Sequence, residues 1–116
     1  MTPILVFVLC FSSFFIVGCE KTEDNYIDII NNGRYQQITV QLNGELIQQD
    51  NKAVWGPSES IAVELWGDDG DQNAILVRIY DLSGRYITVE SRKYYYHKDR
   101  AVRDTWIIQD RYGSYW

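Results

Sequence analysis

The residues able to take part in chemistry are few: two cysteines (Cys10 and Cys19), one histidine (His97), and three closely spaced aspartates (Asp68, Asp69 and Asp71). A zinc site takes three or four ligands from His, Cys and carboxylates. His97, set between Tyr94-Tyr95-Tyr96 and Lys98-Asp99-Arg100, has no such company in the sequence and reads as a solvated residue at a strand end. Calcium takes six or more oxygens from a loop of defined spacing. The three aspartates lack the EF-hand spacing and its closing Glu, so Gly67 to Asn73 reads as a polar hairpin loop. No serine stands in a nucleophile motif. Glu59 and Glu64 are odd and even positions of one expected strand and point apart, unlike the facing carboxylates of a glycosidase. The expectation is a chain that is not an enzyme, with no catalytic residues, no metal and no cofactor.

The two cysteines point elsewhere. Residues 4 to 17 form an apolar run interrupted only by Ser12 and Ser13, and the first charge is Glu20. The run is shorter than the roughly 20 residues of a transmembrane helix, has no polar positions at helical spacing, and ends in a small residue as a signal h-region does. Ile16-Val17-Gly18-Cys19 resembles the lipobox of bacterial lipoproteins, although Met1-Thr2-Pro3 carries none of the usual positive charge. The resemblance implies cleavage before Cys19, lipidation of Cys19, and membrane attachment through acyl chains worth about 0.8 kcal/mol per buried methylene. Glu20-Lys21-Thr22-Glu23-Asp24 resembles the acidic export signal that sends some lipoproteins to the outer face of the outer membrane. An outer-membrane location follows as an expectation, with the periplasmic and the cell-surface faces both open. Three segments are expected: a signal peptide over 1–18, the lipidated Cys19 with an acidic tether over 19–34, and a domain over 35–116. That domain contains no cysteine, so an ordinary hydrophobic core must hold it.

Those residues must be carried by strands. Ile38 to Leu42 alternates, Asn43-Gly44 suits a type I′ turn, and pairing Leu42 with Glu45 sets Val40 opposite Ile47. The short run Tyr26 to Ile30 reads as a strand or one helical turn. Gly56-Pro57-Ser58-Glu59 is a turn. Ile61, Val63 and Leu65 share one face of the next strand; Ala62, Glu64 and Trp66 share the other. Ala74 to Tyr80 is a strand with Ile75, Val77 and Ile79 inward. Asp81 to Arg85 suits a three-residue loop closed by Gly84 at positive φ, with Tyr80 facing Tyr86, Ile79 facing Ile87 and Val77 facing Val89. Ile79 to Arg85 resembles a hairpin of secreted β-sandwich sorting domains, and the resemblance ends with that hairpin. Lys93 to His97 and Thr105 to Gln109 complete the strands. About seven short strands without a convincing helix predict an all-β chain, a small antiparallel Ig-like β-sandwich or a small barrel.

Beyond Cys19 the chain uses thirteen Tyr and Trp and no Phe. Such rings suit surfaces that are apolar on one side and wet on the other. By parity Trp66, Tyr80 and Tyr86 leave the core face, and with Arg78 they form an expected aromatic platform if their strands are neighbours. A glycan or an envelope protein is the expected ligand of these four residues, and the alternative is an accessory subunit of an envelope complex. Charge is uneven: residues 45–81 hold eight acids and two bases, residues 82–111 seven bases and four acids. The net charge of −5 argues against a nucleic-acid partner.

Overall fold

The computed structural model describes residues 25–111; the signal segment, Cys19 and the acidic stretch Glu20 to Asp24 lie outside the described residues. Seven strands follow one another: β1 (Asn25–Asn31), β2 (Gln36–Leu42), β3 (Glu45–Leu46), β4 (Ser60–Glu64), β5 (Gln72–Asp81), β6 (Tyr86–Tyr95) and β7 (Val102–Ile108). They form a three-stranded sheet in the order β4-β1-β7 and a four-stranded sheet in the order β3-β2-β5-β6. The two sheets make a sandwich rather than a closed barrel. Its filling is the inward half of each alternating strand: Ile27 and Ile29, Ile38 and Val40, Ile61 and Val63, Ile75, Val77 and Ile79, Trp106 and Ile108, together with Trp55 and Leu65. Each fully buried Ile or Val contributes about 1.5–3 kcal/mol over its exposed state.

The local chemistry works as the residue types dictate. Asn43 (φ 52°) and Gly44 (φ 88°) take the two positive-φ positions of the β2–β3 turn. Leu42 pairs with Glu45, and the register continues as Ile47 N–H donates to the Val40 carbonyl at 2.8 Å. Ser58 (φ 69°) follows Pro57 in the turn before β4, where Glu59 N–H donates to the Gly56 carbonyl. At the β5–β6 turn Gly84 (φ 96°) lets Asp81 and Arg85 close the loop by a 2.8 Å backbone bond.

Four expectations are corrected. The stretch 25–31, expected within a tether ending at residue 34, is the central strand of the three-stranded sheet, with Ile27 and Ile29 fully buried. Its ends are polar because Asn25 and Asn31 are themselves buried and hydrogen-bonded. The sandwich is not wholly antiparallel, since β1 pairs parallel with β7. The segments expected as separate strands at Tyr86 to Val89 and Lys93 to His97 are one ten-residue strand, β6. Finally, Tyr80 does face Tyr86, but a bulge follows. Ile79 then pairs with Thr88 rather than Ile87, and Val77 with Glu90 rather than Val89. The extra residue, Ile87, still packs partly against the core, while Val89 turns outward opposite Arg78.

That shift has a physical reason. β6 and β7 are edge strands of different sheets on the same side of the sandwich, and polar residues seal the gap between them. Glu90 accepts from Arg111, and the Tyr94 hydroxyl donates to Asp104 at 2.9 Å. The Arg92 guanidinium lies 4.8 Å from the centre of the Trp106 ring, a cation–π contact. Amides close the ends. Asn31 donates to the carbonyls of Gln36 and Trp55, and Gln36 donates to Asn31 Oδ1 and the Gln109 carbonyl while its own oxygen accepts from Arg111 N–H. At the other end Asn25 exchanges two hydrogen bonds with the backbone of His97.

Candidate functional site

On β5, residues alternate between the core and the outer face of the four-stranded sheet. Arg78 and Tyr80 therefore stand side by side on the outside, with Arg78 between Thr39 and Val89 and Tyr80 between Gln37 and Tyr86. Gln37 reaches past Tyr80 to donate to the Asp81 carbonyl at 3.0 Å. The Tyr80 and Tyr86 rings meet edge to face, centroids 5.9 Å apart at 70°, an arrangement favoured by the aromatic quadrupole. Tyr86 is half exposed, whereas Tyr80 and Arg78 are partly covered. Next to this pair the Asp81–Arg85 turn and Tyr35 enclose a small cavity of about 250 Å³ lined by Tyr35, Asp81, Leu82 and Ser83. Tyr35 and Leu82 are each about half exposed. They escape a reading by strand parity because both lie in turns.

Asp81 shapes this corner. Its Oδ1 accepts the Ser83 hydroxyl at 2.7 Å, the Arg85 N–H at 2.9 Å and the Ser83 N–H at 3.0 Å. The Ser83 hydroxyl first, and then the Arg85 N–H, hold its carboxyl below the usual carboxylate range. One oxygen thereby fixes the loop between the strands that carry Tyr80 and Tyr86.

Trp66 does leave the core, with 62% of its surface exposed, but it lies in the connection just past β4, a strand of the other sheet. The expected platform is thus divided: Arg78, Tyr80 and Tyr86 come together and Trp66 does not join them. Asn73, buried at the start of β5, holds the backbone there by donating to the Trp66 carbonyl at 3.0 Å. Parity predicted the outward direction correctly. It could not reveal which sheet β4 enters.

The strand pairing defines two poles. Asn25 pairs with Val102 and bonds the His97 backbone, so His97 and the start of β1 share one pole. Asn31 bonds Gln36, which pairs with Asp81, so the Tyr80–Tyr86 pair lies at the other. Seven residues of β1 separate the two, roughly 20 Å of strand.

At the first pole Asp69 and Asp71 serve their loop. Asp71 accepts from Asp68 N–H at 2.8 Å and Asp69 from Lys98 N–H at 2.9 Å. His97 is partly covered rather than fully solvated: its Nδ1 stands 3.6 Å from Asp69, and Arg100 donates to its Nε2 at 2.9 Å. Because Arg can only donate, the neutral ring carries its proton on Nδ1. No family model, curated protein or solved structure matches the chain.

Proposed function

We propose that the chain is a lipid-anchored envelope protein whose sandwich is a non-catalytic binding module, with Arg78, Tyr80 and Tyr86 as its contact surface and Tyr35 and Leu82 at its margin. The observation that carries the reading is the edge-to-face tyrosine pair on the uncovered face of the four-stranded sheet. Two rings held by strand pairing are rigid contact area that loses little entropy on binding, and the adjacent Arg78 adds a donor for hydroxyl or carboxylate groups. The anchor rests on the resemblance of Ile16-Val17-Gly18-Cys19 to a lipobox. Six steps of chain from Cys19 to Asn25 span at most about 20 Å. With attachment at Cys19, the tyrosine pole points away from the bilayer toward glycans or envelope proteins.

Isothermal titration of the full chain in non-ionic detergent against soluble oligosaccharides tests the reading. Binding is expected for at least one sugar, with Tyr86→Ala weakening it tenfold or more at an unchanged melting temperature. Binding that is indifferent to Tyr86→Ala and Tyr80→Ala overturns it. One observation favours the second reading, an accessory subunit: Trp66, just past β4, and Ile107 on β7 are both exposed apolar side chains outside the tyrosine pair. Co-purification with a membrane complex that Trp66→Ala abolishes would select that reading.

A further inference from the structure

We infer that two copies of this chain pair edge to edge through β6, antiparallel about a two-fold axis at Ser91, so that their four-stranded sheets join into one. The inference does not rest on the function proposed for the tyrosine pair.

Four strands lie at sheet margins: β3, β4, β6 and β7. β3 has two residues, and on β4 the Ala62 carbonyl already accepts from Gln49 Nε2 at 3.0 Å. β6 has ten residues and β5 on one side only. Its hydrogen-bonding phase is fixed from both sides of β5. Asn43 N–H donates to the Ala74 carbonyl, so Ala74 turns toward β2; Tyr96 N–H donates to the Asp71 carbonyl, so Asp71 turns toward β6. By the alternation of antiparallel pairs, Glu90, Arg92 and Tyr94 bond to β5. The N–H and C=O groups of Val89, Ser91, Lys93 and Tyr95 then point to the open edge, and these four residues are exposed or half exposed. A bulge can twist an edge away from pairing, but the bulge of β6 lies before Val89 and leaves the rest of the strand in regular register.

The residues of that edge name its occupant. Val89-Glu90-Ser91-Arg92-Lys93 is complementary to itself read in reverse. With Ser91 opposite Ser91 as a hydrogen-bonded pair, Glu90 of each copy faces Arg92 of the other, and the Lys93 stem covers the exposed Val89. Opposite charges set face to face stabilise antiparallel strands, and like charges destabilise them. Both residues keep partners in their own chain: Glu90 accepts from Arg111, and Arg92 stands 3.9 Å from Asp104. The axis therefore completes a row of alternating sign, Arg111 and Glu90 from one copy, then Arg92 and Asp104 from the other, and repeats it on the far side. Neighbouring registers lose this. Centring on Glu90, Arg92 or Lys93 sets like charges opposite each other, and centring on Val89 brings Lys93 to Arg85. The contact is isologous and closed, as in most symmetric dimers. It keeps the outer faces of the two sheets on one side, with a Tyr80–Tyr86 pair at each end of the joined face. Attachment at Cys19 would put the two anchors at opposite ends as well, the arrangement of copies held by facing membranes.

Sedimentation equilibrium of the full chain, with non-ionic detergent micelles in excess, is expected to show a dimer that Ser91→Pro returns to monomer and Tyr86→Ala leaves intact. Proline at 91 removes an N–H that faces the open edge, a place where edge strands accept it. Oxidation of single-cysteine variants reads the register, with the unsubstituted chain as baseline. Ser91→Cys lies on the axis, about 5.5 Å from its counterpart Cα to Cα, within the span of a disulfide. It should cross-link with itself at least tenfold faster than Lys93→Cys does, whereas Lys93→Cys should cross-link to Val89→Cys when the two are mixed. The cysteine variants decide the matter should Ser91→Pro prevent folding. A monomer at millimolar protein, dimerisation unchanged by Ser91→Pro, or self-linkage of Ser91→Cys no faster than that of Lys93→Cys overturns the inference. A monomer whose Ser91 and Lys93 amides are nonetheless protected from hydrogen exchange also overturns it, by assigning the edge to another segment of the same chain.

Discussion

Asp81 shows how much one side-chain oxygen can organise. Its carboxylate is stabilised by the Ser83 hydroxyl and by backbone N–H groups, so its pKa is lower in the folded chain than in the unfolded one. The stability it adds is complete above its unfolded value of about 4 and is lost as pH falls through the lower folded value. Glu59, held down first by the Lys52 ammonium and then by Gly56 N–H, behaves in the same way. Asp81→Asn is therefore expected to flatten the acid limb of stability against pH, read as melting temperature below pH 5, and to change the neutral value less. At Gly84 a Cβ would meet nothing within 4 Å, so only the positive φ resists substitution. Gly84→Val should cost about 1–2 kcal/mol in urea unfolding. The tryptophans divide by burial. Trp106, 2% exposed, should cost about 3–5 kcal/mol on truncation to Ala, whereas Trp66→Ala should stay within about 0.5 kcal/mol. Equal losses would mean that Trp66 packs where it stands exposed.

At the level of elements, the turns and the alternating strands were legible and the polar positions were not. Asn43-Gly44 and Gly84 announce their turns because few residues accept positive φ. β4 and β5 announce their inner faces because apolar and polar residues alternate without interruption. β1 was half legible: Tyr26 to Ile30 reads as a strand or one helical turn, and the amides at Asn25 and Asn31 that bound it make its place in the centre of a sheet look like linker. β6 misled because Val89 imitates a core position; after the bulge Glu90 meets Arg111, and Arg92 meets Asp104 and Trp106, partners that arrive from distant sequence. Half of the candidate site was therefore visible. The Tyr80–Tyr86 pair follows from one local turn, while the positions of Trp66 and Tyr35 depend on non-local pairing. The buried amides carry their own prediction. Gln36→Leu would remove one of the two donors to Asn31 Oδ1, which keeps Gly33 N–H, and would take the side-chain amide away from the Gln109 carbonyl and Arg111 N–H, at about 1–3 kcal/mol for each group left unsatisfied. A loss of at least 2 kcal/mol in urea unfolding is expected, and a neutral result would show that water replaces the side chain.

Across the whole molecule, the poles matter more than any single side chain. Attachment at Cys19 would make one pole proximal to the membrane and present the tyrosines at the other. The prediction at this scale concerns mass: the chain extracted from membranes should lack residues 1–18 and carry diacylglycerol with further acylation on Cys19. A free thiol there, with the leader retained, would remove the anchor while leaving the sandwich untouched.

The parallel union of β1 with β7 has a consequence for the order of assembly. The middle strand of the three-stranded sheet cannot gain its second neighbour until nearly the whole polypeptide exists, so closure depends on a contact of very long sequence separation. Until then Ile27 and Ile29 lack the strand that brings Trp106 and Ile108. A polypeptide built this way stays open while it is being made, which is what the proposed export before folding would require.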